Sequence, residues 1–427
     1  MKHPSFLNRW GRLSLACLLF GLAVPCARAA TYTWVGPGAG WSTAAHWTPG
    51  GFPVGGSTSS STVLVFQSSE TAYASTDNVT AAFVLNRFIF EPGTGTALTT
   101  ISNGNTADSN RPITFAADGE VGPAIVQNSD GAFRVQGNGR ISLSDDLTLT
   151  GTGTGLVTIA TIVTGSKAII VDGGAAFALT GANLHTGGTV VKNGTLQVGT
   201  GSASILGSGA LTLEGGRISS VSVNTRTLSN EVNVATGAEV AFGDTVNTGL
   251  LIFSAGATIG DHATLKATSG LTFSGAFTTG SNLTLAPEAG ATLTLSSLDI
   301  EGGVTLDLQP GGSPVVITGA LSNSGTAKLN FNLAGGEAGE VYTLLEFGST
   351  TLGYGDLNLL NGNDRLDTSF GVNGWLIENG TIQVALIPEP STAGMLLTVL
   401  GLAGAGARWR SRRTRFTRTA TTNALFS

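Results

Sequence analysis

Along most of this 427-residue chain, apolar residues alternate with polar ones that are mostly hydroxyl-bearing. Ile141-Ser-Leu-Ser, Leu147-Thr-Leu-Thr, Leu211-Thr-Leu-Glu, Leu283-Thr-Leu, Leu293-Thr-Leu and Val304-Thr-Leu-Asp-Leu are the clearest runs. A period of two puts apolar side chains on one face and mostly hydroxyls on the other, the pattern of a half-buried strand. Each run is short, and Gly or Asn closes many of them, as in Asp172-Gly-Gly, Asn193-Gly, Gly215-Gly and Glu301-Gly-Gly. Between the two ends of the chain no stretch offers a helical period with caps. The pattern therefore predicts an all-β body, with one short strand about every 8 to 12 residues. A sandwich, a barrel and a solenoid all satisfy that spacing.

Composition changes the picture in one respect. The chain is 41% hydrophobic and only 11% charged, which is the opposite of the sparse hydrophobicity and dense charge that keep a chain unfolded. Gly, Ser, Thr and Ala fill the rest, and aromatic residues make up 7%. A folded, hydroxyl-rich β-body follows.

The two ends depart from this texture. Lys2, Arg9 and Arg12 precede a mostly apolar run from Leu13 to Val24, and Ala27-Arg28-Ala29 offers small residues where a signal peptidase reads. Residues 1–29 thus read as a signal peptide, cleaved after Ala29. Pro25 before Cys26 does not fit the small residue that lipidation requires. Both cysteines, Cys17 and Cys26, leave with this segment, so the exported chain keeps no disulfide. At the other end, Pro388-Glu389-Pro390 is followed by an uncharged apolar stretch, Ser391 to Ala407, and then by Arg408, Arg410, Arg412 and Arg413. At about 1.5 Å per residue such a helix just crosses a hydrocarbon core of roughly 30 Å, with slight thinning. The arginines hold its far end in the cytoplasm.

This tripartite tail resembles the PEP-CTERM sorting signal of exopolysaccharide-producing Gram-negative bacteria. The resemblance implies processing near Pro388-Glu389-Pro390 by an exosortase-type membrane protease, a transient partner. It divides the tail into a sorting signal at 386–413 and a basic and polar cytoplasmic end at 414–427. The chain would be anchored in the inner membrane before processing, and then released to the cell surface or the medium. An ordinary single-span anchor is the alternative. Removing four basic residues with the leader and six with the tail leaves 11 against 27 acidic residues, so the exported body carries a charge near −16. That balance disfavours nucleic acid and anionic lipid as partners.

Local sequence chooses among the all-β architectures. Residues 179–216, from Leu179-Thr-Gly-Ala-Asn-Leu-His through Val190-Val-Lys-Asn-Gly-Thr-Leu-Gln-Val to Leu211-Thr-Leu-Glu-Gly-Gly216, resemble the autotransporter-associated β-strand repeat. The resemblance implies a right-handed parallel β-helix over residues 57–385. With about 20 residues per coil it would hold roughly sixteen coils and extend about 75 Å. Residues 30–56 carry Trp34, Trp41 and Trp47 among glycines and resemble the Trp-rich opening segment of secreted proteins with this repeat. A solenoid needs its open end covered, so a cap is expected there. The other reading of these tryptophans is a platform for glycan rings. Val341 to Phe347 and Gly374 to Val384 are expected to close the far end.

Candidate chemistry is sparse. His46, His185 and His262 stand apart with no metal-ligand spacing, so no metal site is expected. His185 falls inside the repeat and reads as a rung or corner residue. Asp145-Asp146 is the single adjacent carboxylate pair, and clustered carboxylates serve β-helical polysaccharide-cleaving enzymes. Adjacent strand residues face opposite ways, however, so the two cannot act on one bond without a bulge or turn. Gly362 to Asp367 is half of a calcium-binding nonapeptide, without the tandem turns such sites need. Asn-x-Thr sequences at Asn78, Asn193, Asn282 and Asn379 are unremarkable in so Thr-rich a chain. No cofactor is implied. The reading is a non-enzymatic exported surface or matrix protein associated with exopolysaccharide. The alternatives are an autotransporter-like adhesin passenger and a β-helical polysaccharide-degrading enzyme.

Overall fold

The alternating runs do become strands, and those strands stack in parallel. A computed structural model of the chain describes residues 30–36, 39–50, 59–79, 83–104, 112–199, 204–308, 312–333, 339–360 and 366–387. The expectations at Ala27, Ala29, Pro388, Glu389, Pro390, Arg408, Arg410, Arg412 and Arg413 lie outside the described residues. No helix among the described residues is long and apolar enough to cross a membrane.

One sheet passes through fourteen strands, from Ala39–Gly40 to Leu357–Leu359. A second has twelve, and its parallel members run from Ala30–Trp34 to Phe277–Thr278. The third side is built from a four-stranded sheet, Phe83–Leu85 to Ile162–Gly165, and a nine-stranded sheet that begins at Arg226–Leu228. Successive strands of each sheet lie one coil apart, which makes the body a parallel β-solenoid. Its coils are longer than the expected 20 residues in most places. Phe177 pairs with Leu196, 19 residues on, but Leu306 pairs with Phe331 and Phe331 with Leu359, 25 and 28 residues on. Longer corners therefore reduce the expected sixteen coils to about eleven in which both long sheets are present.

Register explains the core. Phe133, Val157, Phe177, Leu196, Ile218 and Phe242 are partners in sequence along the fourteen-stranded sheet, and all are fully buried. The intervening Arg134, Thr158 and Gln197 face outward on the same strands. Each buried side chain of this size contributes about 1.5–3 kcal/mol. Ordering some twenty residues costs more than one coil can recover alone, at about 1–2 kcal/mol per residue, so each coil depends on its neighbours.

Outward hydroxyls add a second set of bonds between coils. Ser254, Ser274 and Ser296 each follow a strand of the nine-stranded sheet, and Thr318 falls at the equivalent register position inside Val315–Ser322. Their hydroxyls donate to Leu228 O, Phe253 O, Gly275 O and Leu295 O of the coil before, at 3.2, 3.3, 2.5 and 3.3 Å. Farther along, Asn358 donates to Asn330 and Asn332 to Asp307, at 2.8 and 2.9 Å.

Both ends are closed by antiparallel pairing. The Trp-rich segment is itself the first coil: Ala30–Trp34 pairs in parallel with Thr62–Gln67, and the solenoid starts there rather than at residue 57. Trp47–Thr48 then folds back antiparallel on Ala30–Trp34 and covers its outer edge. Trp34, Trp41 and Trp47 are 4%, 0% and 2% exposed. Trp47 meets Trp34 and Trp41 edge-on at 5.0 and 5.8 Å, and Trp41 lies against Phe83 and Phe66. The ring faces are thus taken up by other rings, so the three tryptophans form an interior cluster at the expected cap, and the other reading, an open three-tryptophan platform for glycan rings, is corrected. The polar tips fit this placement, since Trp41 Nε1 donates to Ser75 Oγ at 2.7 Å and Trp47 Nε1 to Trp41 O at 3.1 Å. At the far end, Val341–Thr350, Thr381–Ala385 and Trp375–Glu378 form antiparallel neighbours, with Trp375 packed on Phe331 at 5.3 Å.

Candidate functional site

The Asp145-Asp146 pair sits at the corner between Arg140–Leu143 and Leu147–Gly151, and its two carboxylates part company. Asp145 accepts the Ala117 N–H of the preceding coil at 2.9 Å, while Asp146 accepts the Ala168 N–H of the following coil at 2.9 Å. The pair therefore stitches three successive coils together. Two carboxylates aimed in opposite directions along the rod do not converge on one bond.

The histidines stay separate. His46 packs on Trp34 at 5.3 Å, and His262 is exposed in a turn with φ +58°. His185 is fully buried on the third side of the rod, where no strand is present between Ile162–Gly165 and Arg226–Leu228 among the described residues. Its Nε2 lies 3.3 Å from Thr189 Oγ1, and Thr189 in turn donates to Leu206 O at 3.2 Å. Burial lowers its pKa to about 4, against a smaller opposing effect of the Gly188 backbone. Gly207 of the next coil makes this packing possible. Its φ is +72°, and a Cβ there would lie 2.2 Å from His185 O and 2.8 Å from the imidazole ring. No group of three or more His, Cys, Asp or Glu able to hold a metal occurs among the described residues. The nonapeptide fragment at 362–367 falls mostly outside them.

Carboxylates gather where the twelve-stranded sheet ends. Its last strand, Phe277–Thr278, borders a cleft of about 630 Å³ lined by Asp261, Asp299 and Glu301 together with Thr279 and Ser281. Asp261 accepts both the N–H and the hydroxyl of Ser281 at 2.7 Å, which holds its carboxyl below the usual range. Asp299 is slightly desolvated, which raises its pKa, but bonds from Ser324, Glu301 and Ser322 outweigh that and leave it lowered. Carboxyls held ionised in this way lack the proton that a general acid must give at neutral pH. The sequence carries no sign of this cleft, because its residues come from three successive coils whose register only the fold sets.

The outer surface of the long sheets carries polar columns in register. Thr264, Thr284, Thr305, Asn330 and Asn358 form one outward column in register. Thr212, Asn233, Thr258 and Thr278 form another on the twelve-stranded sheet.

Fold and surface together define a parallel β-solenoid with closed ends and a hydroxyl- and amide-rich exterior. Over 183 residues the chain is 33% identical to the adhesin BmaC autotransporter of Brucella suis biovar 1 (strain 1330). That match takes in 36% of this chain and 5% of the Brucella protein, so the chain spans a small fraction of its relative's length. No family model matches the chain. No solved structure matches it either.

Proposed function

We propose that this chain is an exported, non-enzymatic surface or extracellular-matrix protein, acting as an adhesin-like rod. The observation that carries the reading is the parallel solenoid with in-register outward columns of Thr and Asn, allied to partial similarity to an autotransporter adhesin. A rod of stacked coils exposes a long surface of repeated polar groups, and such repetition suits weak, multiple contacts with a repeating polymer. Extracellular polysaccharide is the partner proposed, in the setting of an exopolysaccharide matrix or biofilm. The acidic body, with 11 basic against 27 acidic residues, disfavours nucleic acid. Sorting belongs to the same proposal: export by residues 1–29, transient anchoring through Ser391 to Ala407, and processing near Pro388-Glu389-Pro390 by an exosortase-type protease.

The autotransporter-like passenger is the second reading, favoured by the same Brucella similarity. The two differ in the mature C-terminus. Intact masses of the protein from the native cell envelope and from the medium separate them. A chain starting near Ala30 and lacking everything after about Pro390 is expected. A mature, envelope-bound chain that retains Arg408 to Ser427 would overturn the sorting proposal. Protease shaving of intact cells tests location independently, and full protection of the rod would overturn the surface reading.

A further inference from the structure

The first corner of the rod holds a second cleft, of about 320 Å³, that no part of the surface reading uses. Its walls come from three successive coils: Trp34 from the first, Gln67, Ser69, Thr71 and Tyr73 from the second, and Thr94 from the third. No charged side chain is among its lining residues. Its polar groups are instead an amide, several hydroxyls and backbone. It also holds two aromatic residues, and each has a polar tip. Tyr73 is partly exposed, and its hydroxyl donates to Gln67 O at 2.8 Å, which fixes the ring at the mouth of the corner. Burial raises the Tyr73 pKa, with a weaker opposing effect of the Thr99 hydroxyl, so the phenol stays neutral. Trp34, 4% exposed, forms the floor, and its indole N–H is enclosed in the core without an acceptor. A buried donor left unpaired is uncommon and costs stability.

We infer that this corner is a binding site for a single neutral saccharide ring. A volume near the lower limit of small-molecule sites, roughly 300–1,000 Å³, admits one ring rather than a chain segment. The uncharged walls exclude uronates and amino sugars in their ionised forms, since burying an unpaired charge is strongly unfavourable. A sugar presents an apolar C–H face to an aromatic ring and hydroxyls at its rim, which match Tyr73 on one side and Gln67, Ser69, Thr71 and Thr94 on the other. The site is narrower than the three-tryptophan platform, because Trp41 and Trp47 are turned into the core. The inference rests on the surface-protein reading only for the source of the sugar.

Saturation-transfer NMR on the full chain purified from its own cells tests it, with glucose, galactose, mannose and N-acetylglucosamine as probes and glucuronate and glucosamine as charged controls. At least one neutral sugar is expected to bind with a Kd on the order of 1 mM, and Gln67→Ala and Tyr73→Ala each to weaken it about tenfold. Gln67 is exposed, so Gln67→Ala keeps the melting temperature and decides the matter if Tyr73→Ala does not fold. Absence of binding up to about 50 mM of every neutral sugar overturns the inference. So does equal binding of the charged controls, or binding untouched by Gln67→Ala. Such failure leaves the surface reading standing, because location is measured separately. A sugar-binding protein found only inside cells would do the reverse.

Discussion

Protonation of His185 should weaken the middle of the rod, and the size of the effect follows from its burial. The side chain is fully enclosed, and its pKa falls from 6.5 to about 4 on folding. The folded chain therefore refuses a proton that the unfolded chain takes below pH 6.5. Its contribution is complete above pH 6.5, declines as the pH falls, and is gone near pH 4. At about 1.4 kcal/mol per pH unit, the loss reaches about 2 kcal/mol at pH 5 and about 3 kcal/mol near pH 4. Carboxylates titrate in the same range, so the measurement must be a difference of differences. Melting of the wild-type chain and of His185→Leu is compared between pH 7.5 and pH 5. Because stacked coils can open locally, hydrogen exchange over residues 160–230 is the more direct readout. Protection factors there, which remove the slower intrinsic exchange at low pH, should fall in the wild type between those pH values and much less in His185→Leu. If both proteins lose the same stability, or if the loss of protection is confined to other coils, then the imidazole is not the buried neutral group described.

Four other outcomes can be checked by thermal or denaturant unfolding. Phe88→Ala removes a fully buried ring that lies edge-on to Phe115 at 5.3 Å and Phe66 at 5.9 Å, and should cost about 3–5 kcal/mol. Gly207→Ala should destabilise by at least about 1 kcal/mol, whereas Gly237→Ala, whose Cβ would meet nothing within 4 Å, pays only for its positive φ and should cost less. Arg226 is 7% exposed, and its guanidinium donates to Val198 O, Thr225 O and Ser222 Oγ. Arg226→Met keeps the stem packing and should be milder than Arg226→Ala by about 1–2 kcal/mol; equal losses would refute a packing role for the stem. Asp145→Ala and Asp146→Ala should be additive in the double variant within about 0.5 kcal/mol, because each carboxylate bonds a different coil.

Alternation made the strands legible, and the segment at 179–216 made their stacking legible. The alternating run Leu211-Thr-Leu, inside that segment, does pair in parallel register with Thr189–Val191 of the coil before. Coil length was not legible, because a corner may hold a tight Gly turn or a longer excursion without disturbing the strands on either side. Nor was the direction of the Asp145-Asp146 pair, since strand alternation says nothing about carboxylates at a corner, where neighbouring coils offer N–H groups both above and below. The tryptophans illustrate a different limit. Their clustering marked an end of the rod, but only the antiparallel return of Trp47–Thr48 turns the rings inward. The saccharide-sized corner drew residues from three coils, and Gln67, Thr71 and Thr94 carry no pattern that sets them apart from other polar corner residues.

The parallel register of the rungs sets how the rod answers to force. Hydrogen bonds between coils lie along the long axis, so a pull between the two ends would load one coil boundary at a time rather than a whole sheet in shear. Coils of 19 to 28 residues, as between Phe177 and Leu196 or Phe331 and Leu359, would peel off singly, each releasing roughly 60–100 Å of chain at about 3.3–3.6 Å per residue. A cell tethered through such a rod would be held by an extensible line that yields in steps, and the antiparallel ends would be the knots at which yielding starts or stops.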